Sequence, residues 1–173
     1  VGLSNYAPGT GSGPHGAHGT GTVNGYALKV RASDNVRVGT VRVDRNPGDL
    51  LLSPDGKTLF VSHFDLLKVS EVQAQGGTVR DMDSRLAIID AGTMERIAMV
   101  PACAAAHGIQ VSPDGTRAYL SCASDEVAIV QLDDPARPVT RIPLTPNAGD
   151  PTTASHLPYA ATLSPSGDEL WVS

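Results

Sequence analysis

Five histidines, two cysteines and a scatter of carboxylates are the residues of this 173-residue chain with metal-ligating or acid–base chemistry. His15 and His18 stand three apart in Pro14-His15-Gly16-Ala17-His18-Gly19, a spacing at which two imidazoles can share a transition metal. The surrounding glycines read first as a flexible loop. His107 precedes Gly108, His63 follows Ser62, and His156 lies in the Pro- and Thr-rich stretch 146–158. Each can ligate a metal or hydrogen-bond a ligand; each can also simply cap a backbone carbonyl. Asp65, Asp81, Asp83 and Asp150 are further cation ligands by type, though carboxylates in long loops are usually solvated. Cys103 and Cys122 allow one disulfide or two small buried thiols. No Cys-x-x-Cys-His for covalent haem and no Gly-x-Ser-x-Gly elbow occurs. Gly9-Thr10-Gly11-Ser12-Gly13 lacks the Lys and the strand–helix setting of a phosphate loop.

The elements that must position these groups are announced by one stretch written three times. Ser53-Pro54-Asp55-Gly56-Lys57-Thr58-Leu59-Phe60-Val61-Ser62 returns as Ser112 to Ser121 and as Ser164 to Ser173. Ser, Pro, Asp or Ser, then Gly are the preferences of a type I turn, with Pro fixing φ and Gly relieving the exit. Leu50 and Leu52 before the turn and Leu59 and Val61 after it alternate, which predicts a hairpin with one buried face.

Aligned on the closing Ser, the copies place Ser4, Ser62, Ser121 and Ser173 in register and divide the chain at about 4–62, 62–121 and 121–173. Ser62-His63-Phe64 and Ser4-Asn5-Tyr6 also share an aromatic. Calling the hairpin strands A and B, each unit adds a third apolar stretch C (26–30, 86–90, 127–131). A short polar turn follows, and then a fourth strand D (36–43, 95–100, 139–144). Four antiparallel strands per unit is the blade of a β-propeller, and self-similarity at this period marks a radial or stacked array. The expected fold is therefore all-β, a propeller segment of about three four-stranded blades. Three blades cannot close a ring, so the open strand edges are expected to be covered by further propeller chain or by another protein chain. Val1 in place of Met fits a processed, trimmed or partial chain.

Composition agrees. Gly 18, Pro 13 and only 4% aromatics suit short strands and turns. A net charge of -5 and a pI near 5.4 argue against nucleic acid as a partner. No apolar run approaches the roughly 18 residues of a membrane span, and no signal peptide is visible.

Ser53-Pro54-Asp55-Gly56-Lys57-Thr58-Leu59-Phe60-Val61-Ser62 and Leu86-Ala87-Ile88-Ile89-Asp90-Ala91-Gly92-Thr93 resemble YVTN-type repeats, the lactonase-like or surface-layer propellers. The resemblance covers most of the chain outside its loops and implies a ring of about seven blades. It also implies a secreted or periplasmic protein, and for that reason a Cys103–Cys122 disulfide, which strand pairing alone does not require. Cys103 falls on the expected D–A connecting loop, and Ile109 opposite Leu120.

The family unit is about 40 residues, so the longer units here carry insertions. The A–B and C–D turns of a blade share one face of the ring; the B–C loops and D–A connections share the other. The extra length, about 5–24, 63–84 and 146–158, falls on the second face with all five histidines. Leu66, Leu67, Val69 and Val72 in the second insertion have helical spacing, ended by Gly76-Gly77. Strand A lines the central channel, so His107 and Tyr159, each five residues before a Ser-Pro turn, should stand at its mouth, with His63 close by. Two functions follow. One is a binding or scaffold propeller engaging a ligand through this looped face. The other, motivated by the histidines and by the resemblance to propellers with redox centres, is an oxidoreductase holding a transition metal or contacting a haem at the mouth. Its candidate ligands are His15, His18, His107 and His156.

Overall fold

The computed structural model describes residues 2–5 and 18–173. Its strands form four antiparallel sheets, each built from consecutive segments. The first sheet holds β1 (Gly2–Asn5), β2 (Val23–Arg31) and β3 (Val36–Arg42). The second holds β4 (Pro47–Leu52), β5 (Thr58–His63), β6 (Asp83–Asp90) and β7 (Arg96–Ala104). The third holds β8 (Ile109–Val111), β9 (Arg117–Cys122), β10 (Glu126–Gln131) and β11 (Val139–Pro143). The fourth pairs β12 (Ala161–Leu163) with β13 (Leu170–Val172). The first strands of successive sheets, β4, β8 and β12, touch one another. The sheets therefore stand face to face around an axis lined by these strands.

The three Ser-Pro turns are the same object. In the first, the Gly56 N–H donates to the Ser53 carbonyl at 2.8 Å and the Ser53 N–H to the Thr58 carbonyl at 2.8 Å. The Ser53 hydroxyl accepts from the Thr58 N–H at 2.9 Å and donates to Asp55 Oδ1. Asp55 Oδ1 also accepts from the Lys57 N–H. Ser112, Asp114, Gly115 and Arg117 repeat this pattern; Ser164, Gly167 and Glu169 do so with Ser166 in the Asp place. Ser and Asp thus satisfy the turn's backbone from side chains, and Gly supplies φ of +71°, +73° and +81° in the three copies.

The hairpin is not buried on one face only. Phe60, Leu86 and Ile88 point toward the third sheet, in a cluster with Val100, Ile109, Leu120 and Val130. Val61, Ala87 and Ile89 point the other way, against Ala27, Val41 and Val43 on the first sheet's side, with Met94 of the β6–β7 turn closing the same cluster. Each inner sheet is packed between two neighbours. This is why Leu86-Ala87-Ile88-Ile89 is a continuous apolar run rather than an alternating one. Leu86, Ile89, Ile109 and Leu120 are fully buried, so truncating any of them to Ala would cost about 2–5 kcal/mol.

Strand D of the second sheet runs further than expected. β7 continues through Pro101 to Ala104, so Cys103 lies in a strand opposite Ser84, not on the connecting loop. Pro is tolerated there because β7 is outermost and its second edge pairs with nothing among the described residues. Cys103 and Cys122 are bonded, with S–S 2.02 Å and Cα–Cα 5.8 Å. The bridge joins the outer strand of one sheet to the second strand of the next, beside Ile109 opposite Leu120. The amphipathic segment is helix α1 (Leu66–Ala74), opened by Asp65, whose carboxylate accepts from the Lys68 N–H. A 3₁₀ turn (Val79–Met82) follows. Val69 of α1 packs on Met82, Ala104, Ala105 and Ala123 over the looped end of the second and third sheets.

Candidate functional site

Four loops deliver four rings to one point on the looped face. They are His18, from the segment leading into β2; Phe64, between β5 and α1; His107, between β7 and β8; and Tyr159, between β11 and β12. His107 stacks on Tyr159 with centroids 3.6 Å apart and planes 24° apart. His18 stacks on Phe64 at 5.0 Å. The two stacks meet edge-on: His18–His107 at 5.3 Å, Phe64–His107 at 5.3 Å and Phe64–Tyr159 at 5.5 Å. Such pairs add about 0.5–1.5 kcal/mol each beyond burial.

Backbone bonds fix each ring. The His107 N–H donates to the Ser121 carbonyl at 3.0 Å, and the His107 carbonyl accepts from the Ser62 hydroxyl. Gly48, the equivalent of His107 one sheet earlier, leaves space for it: a Cβ there would lie 3.3 Å from His107 Cδ2. The Tyr159 carbonyl accepts from the Gly108 N–H at 2.8 Å. Two buried polar residues at positive φ hold the outlying loops. Asn46 (φ +53°) accepts from the Gly21 N–H at 2.6 Å and donates back to the Gly21 carbonyl. Its carbonyl also takes the Phe64 N–H. Asp125 (φ +57°) accepts the N–H groups of Ser155, His156 and Leu157 at 3.0, 3.1 and 2.9 Å, just upstream of Tyr159. Burial pushes the Asp125 carboxyl up, but these bonds outweigh it and hold it below the usual range.

Burial, and then the neighbouring His18, push the His107 pKa down to about 4, against a smaller opposing pull from Asp49. His107 is thus a neutral imidazole at pH 7. Burial raises the Tyr159 phenol, helped by the Asp49 charge. The Asp49 carboxylate itself bridges two sheets, accepting from the Leu50 N–H at 2.9 Å and the Ile109 N–H at 3.3 Å. The ring cluster therefore offers π-faces, neutral imidazole and a phenol, groups that can stack on and hydrogen-bond a ligand.

The sequence grouped His107, Tyr159 and His18 on this face, and the structure brings them into contact. It places His63 elsewhere. That ring is fully buried, with Nε2 accepting from the Asp44 N–H at 3.1 Å and Nδ1 donating to the Arg85 carbonyl. Burial lowers its pKa, so it is a neutral framework residue tying the segment after β3 to β6. His156 is exposed and reaches Asp125 rather than the rings. His15 and the glycine-rich stretch 8–14 lie outside the described residues. Among the described residues no three His, Cys, Asp or Glu side chains come together as a metal donor set; His18 and His107 bring two imidazoles side by side. Of the possible cation ligands, Asp65 pairs with Arg45 and Asp83 with Arg141. Asp81 and Asp150 bond within their own turns. Sequence reasoning missed Phe64, noting it only as an echo between repeats, and gave no signal for Asn46 or Asp125.

No model of a known protein family matches this sequence, and no curated protein matches it. Solved structures do match in fold. Hydrazine synthase of Kuenenia stuttgartiensis superposes with a TM-score of 0.62 at 17% identity, over 87% of this chain and 43% of that one. The β-propeller domain of Cps50 (Swd1) from Myceliophteria thermophila gives 0.64 at 17% identity, over 87% and 43%. A candidate 6-phosphogluconolactonase from Bacteroides fragilis gives 0.55 at 19% identity, over 88% and 37%. The chain spans less than half the length of each. At such identities the likeness speaks for fold alone: the chain is an all-β segment of a propeller, about three four-stranded antiparallel blades long.

Proposed function

We propose that this chain is part of an extracytoplasmic propeller, built from YVTN-type repeats, that binds a ligand through its looped face rather than transforming it. The observation that carries this reading is the convergence of His18, Phe64, His107 and Tyr159 from four separate loops at the axis of the sheets. Framework rings need not gather at one point; recognition surfaces place aromatics on loops held by a rigid scaffold. Tyr159 is 41% exposed, so the stack presents a face to solvent. The Cys103–Cys122 bond supports an oxidising compartment. Further propeller chain, or another protein chain, covers the outer edges of β1 and β13.

The test is a screen of arrayed glycans and peptides, with hits confirmed by calorimetry on the full chain. Hits should be lost in Tyr159→Ala and His107→Ala while circular dichroism stays unchanged. A hit set indifferent to both substitutions would overturn the looped-face assignment. The paired imidazoles of His18 and His107 favour one second reading, a transition-metal or haem contact at the mouth with oxidoreductase activity. Elemental analysis of natively purified protein decides it: bound metal lost in His107→Ala supports the redox reading, and metal-free protein with intact ligand binding sinks it.

A further inference from the structure

The opposite face carries a second feature that the ring cluster does not use. A cleft of about 420 Å³ opens between the second and third sheets at their tight-turn end, within the usual range for small-ligand sites. Its floor is apolar: Phe60 and Ile88 are almost fully buried, and Leu132 and the half-exposed Ile97 form the walls. Its rim holds charge of both signs, Arg137 from the turn between β10 and β11, and Asp55 and Asp114 from two Ser-Pro turns.

Arg137 is under-used where it stands. Its Nε is buried without a hydrogen-bond partner, and its one bond, from Nη1, goes to the Pro135 carbonyl at 3.2 Å. Among the described residues it makes no ion pair, although Asp55 and Asp114 line the same cleft. Its backbone sits at φ +46°, a strained position for a residue with a long side chain. Each of the two carboxylates accepts its hydrogen bonds through one oxygen only. Asp114 Oδ1 takes Ser112 and Thr116, and Asp55 Oδ1 takes Ser53 and Lys57. Among the described residues Asp114 Oδ2 has no hydrogen-bond donor, and Asp55 Oδ2 faces only the exposed Lys57 ammonium, at 3.7 Å.

We infer that this cleft is a binding site for a small apolar zwitterion, an α-amino acid with a branched or aromatic side chain. The guanidinium of Arg137 pairs with the ligand's carboxylate through Nη2, which bonds no protein group among the described residues. Oδ2 of Asp114, together with the Asp55 carboxylate, takes the ammonium group. The side chain lies on Phe60, Ile88, Ile97 and Leu132. A simple anion would meet two carboxylates with one cation, and a simple amine would meet Arg137 unpaired. A ligand carrying both charges satisfies all three.

Three probes separate these cases on the full chain: L-leucine, 4-methylpentanoate, which lacks the amine, and 3-methylbutylamine, which lacks the carboxylate. Titration calorimetry at millimolar ligand should show saturable binding of leucine, with each truncated probe weaker by about tenfold or more. Arg137→Asn removes the cation while suiting the positive φ, so the variant folds and should lose leucine binding. Leu132→Ala should weaken it without changing the preference for leucine over 4-methylpentanoate. No leucine binding, equal binding of leucine and 4-methylpentanoate, or binding that survives Arg137→Asn would each overturn the assignment. None of these outcomes touches the looped face, where Arg137 has no part.

Discussion

Gly108 offers a test in which two effects of opposite sign are set against each other. Its φ lies outside the left-handed region, so its backbone would accept alanine. On conformational entropy alone, Gly108→Ala would stabilise the fold by about 0.4–1 kcal/mol through the unfolded chain. Space decides otherwise. A Cβ on Gly108 would lie 2.8 Å from the Tyr159 carbonyl oxygen, 2.9 Å from Ala160 Cα and 2.9 Å from Ala161 N. All three are backbone atoms and cannot swing aside. Relief requires β12 to move away from β8, stretching the 2.8 Å bond from the Gly108 N–H to Tyr159. Overpacking costs about 1–3 kcal/mol, and the weakened hydrogen bond about 0.5–1.5 kcal/mol more. The net is a destabilisation of about 2 kcal/mol. Urea titration should show a lower midpoint with an unchanged slope, and the near-ultraviolet dichroism of the stacked Tyr159 should fall even in the native baseline. A Gly108→Ala protein as stable as its parent would refute the claim that this seam is closed by backbone contact.

Three more outcomes are expected. In Asp125→Asn the side-chain amide can no longer accept all three N–H groups of Ser155, His156 and Leu157. Hydrogen exchange at these amides should speed up by about tenfold to a hundredfold, at about 1.4 kcal/mol per tenfold, with the strands unaffected. Reduction of Cys103–Cys122, or replacement of both by Ser, should lower stability by about 3 kcal/mol for a bridge spanning 19 residues; equal urea midpoints with and without reductant would count against it. The depressed His107 pKa sets the sign of a pH effect. The unfolded chain takes up the proton first, so stability is full above about pH 6.5 and is lost as pH falls toward about 4. His63, whose pKa burial also lowers, adds a loss of the same sign as pH falls. His107→Gln should flatten only part of it, and an unchanged pH profile would show that the ring does not titrate there.

The fold was readable because its signals are local. Ser, Pro, Asp and Gly each act within one turn, and the strands on either side carry their own period. Where neighbours decide, the sequence was silent or misleading. One buried face was expected for a hairpin that is packed on both, since burial depends on the next sheet. Strand D was expected to stop at 100, and the outer position of β7 lets it continue through Pro101 to Cys103. The ring cluster was half legible. His107 and Tyr159 follow from their distance to the turn, whereas Phe64, just ahead of α1, is placed by its N–H bond to the Asn46 carbonyl. Asn46 and Asp125 act on loops 25 and about 30 residues away, a relation that no short pattern encodes. His63 shows the converse: its type suggested chemistry, and its burial made it framework.

The near-identity of the three Ser-Pro hairpins carries a hazard during folding. Each closes its own turn with its own Ser hydroxyl and turn side chain, so each can form early and alone. Three interchangeable hairpins could then seat in one another's slots, or in those of a second molecule, with little penalty from the turns themselves. What distinguishes one slot from the next lies at the seams. Gly108 admits the backbone of Tyr159 and Ala160 on one side only, Gly48 admits the ring of His107, and the two thiols meet only between the second and third sheets. These unlike junctions act as an address for each hairpin. Exchanging them between sheets, with the turns left intact, should scramble the order of the array before it weakens any single blade.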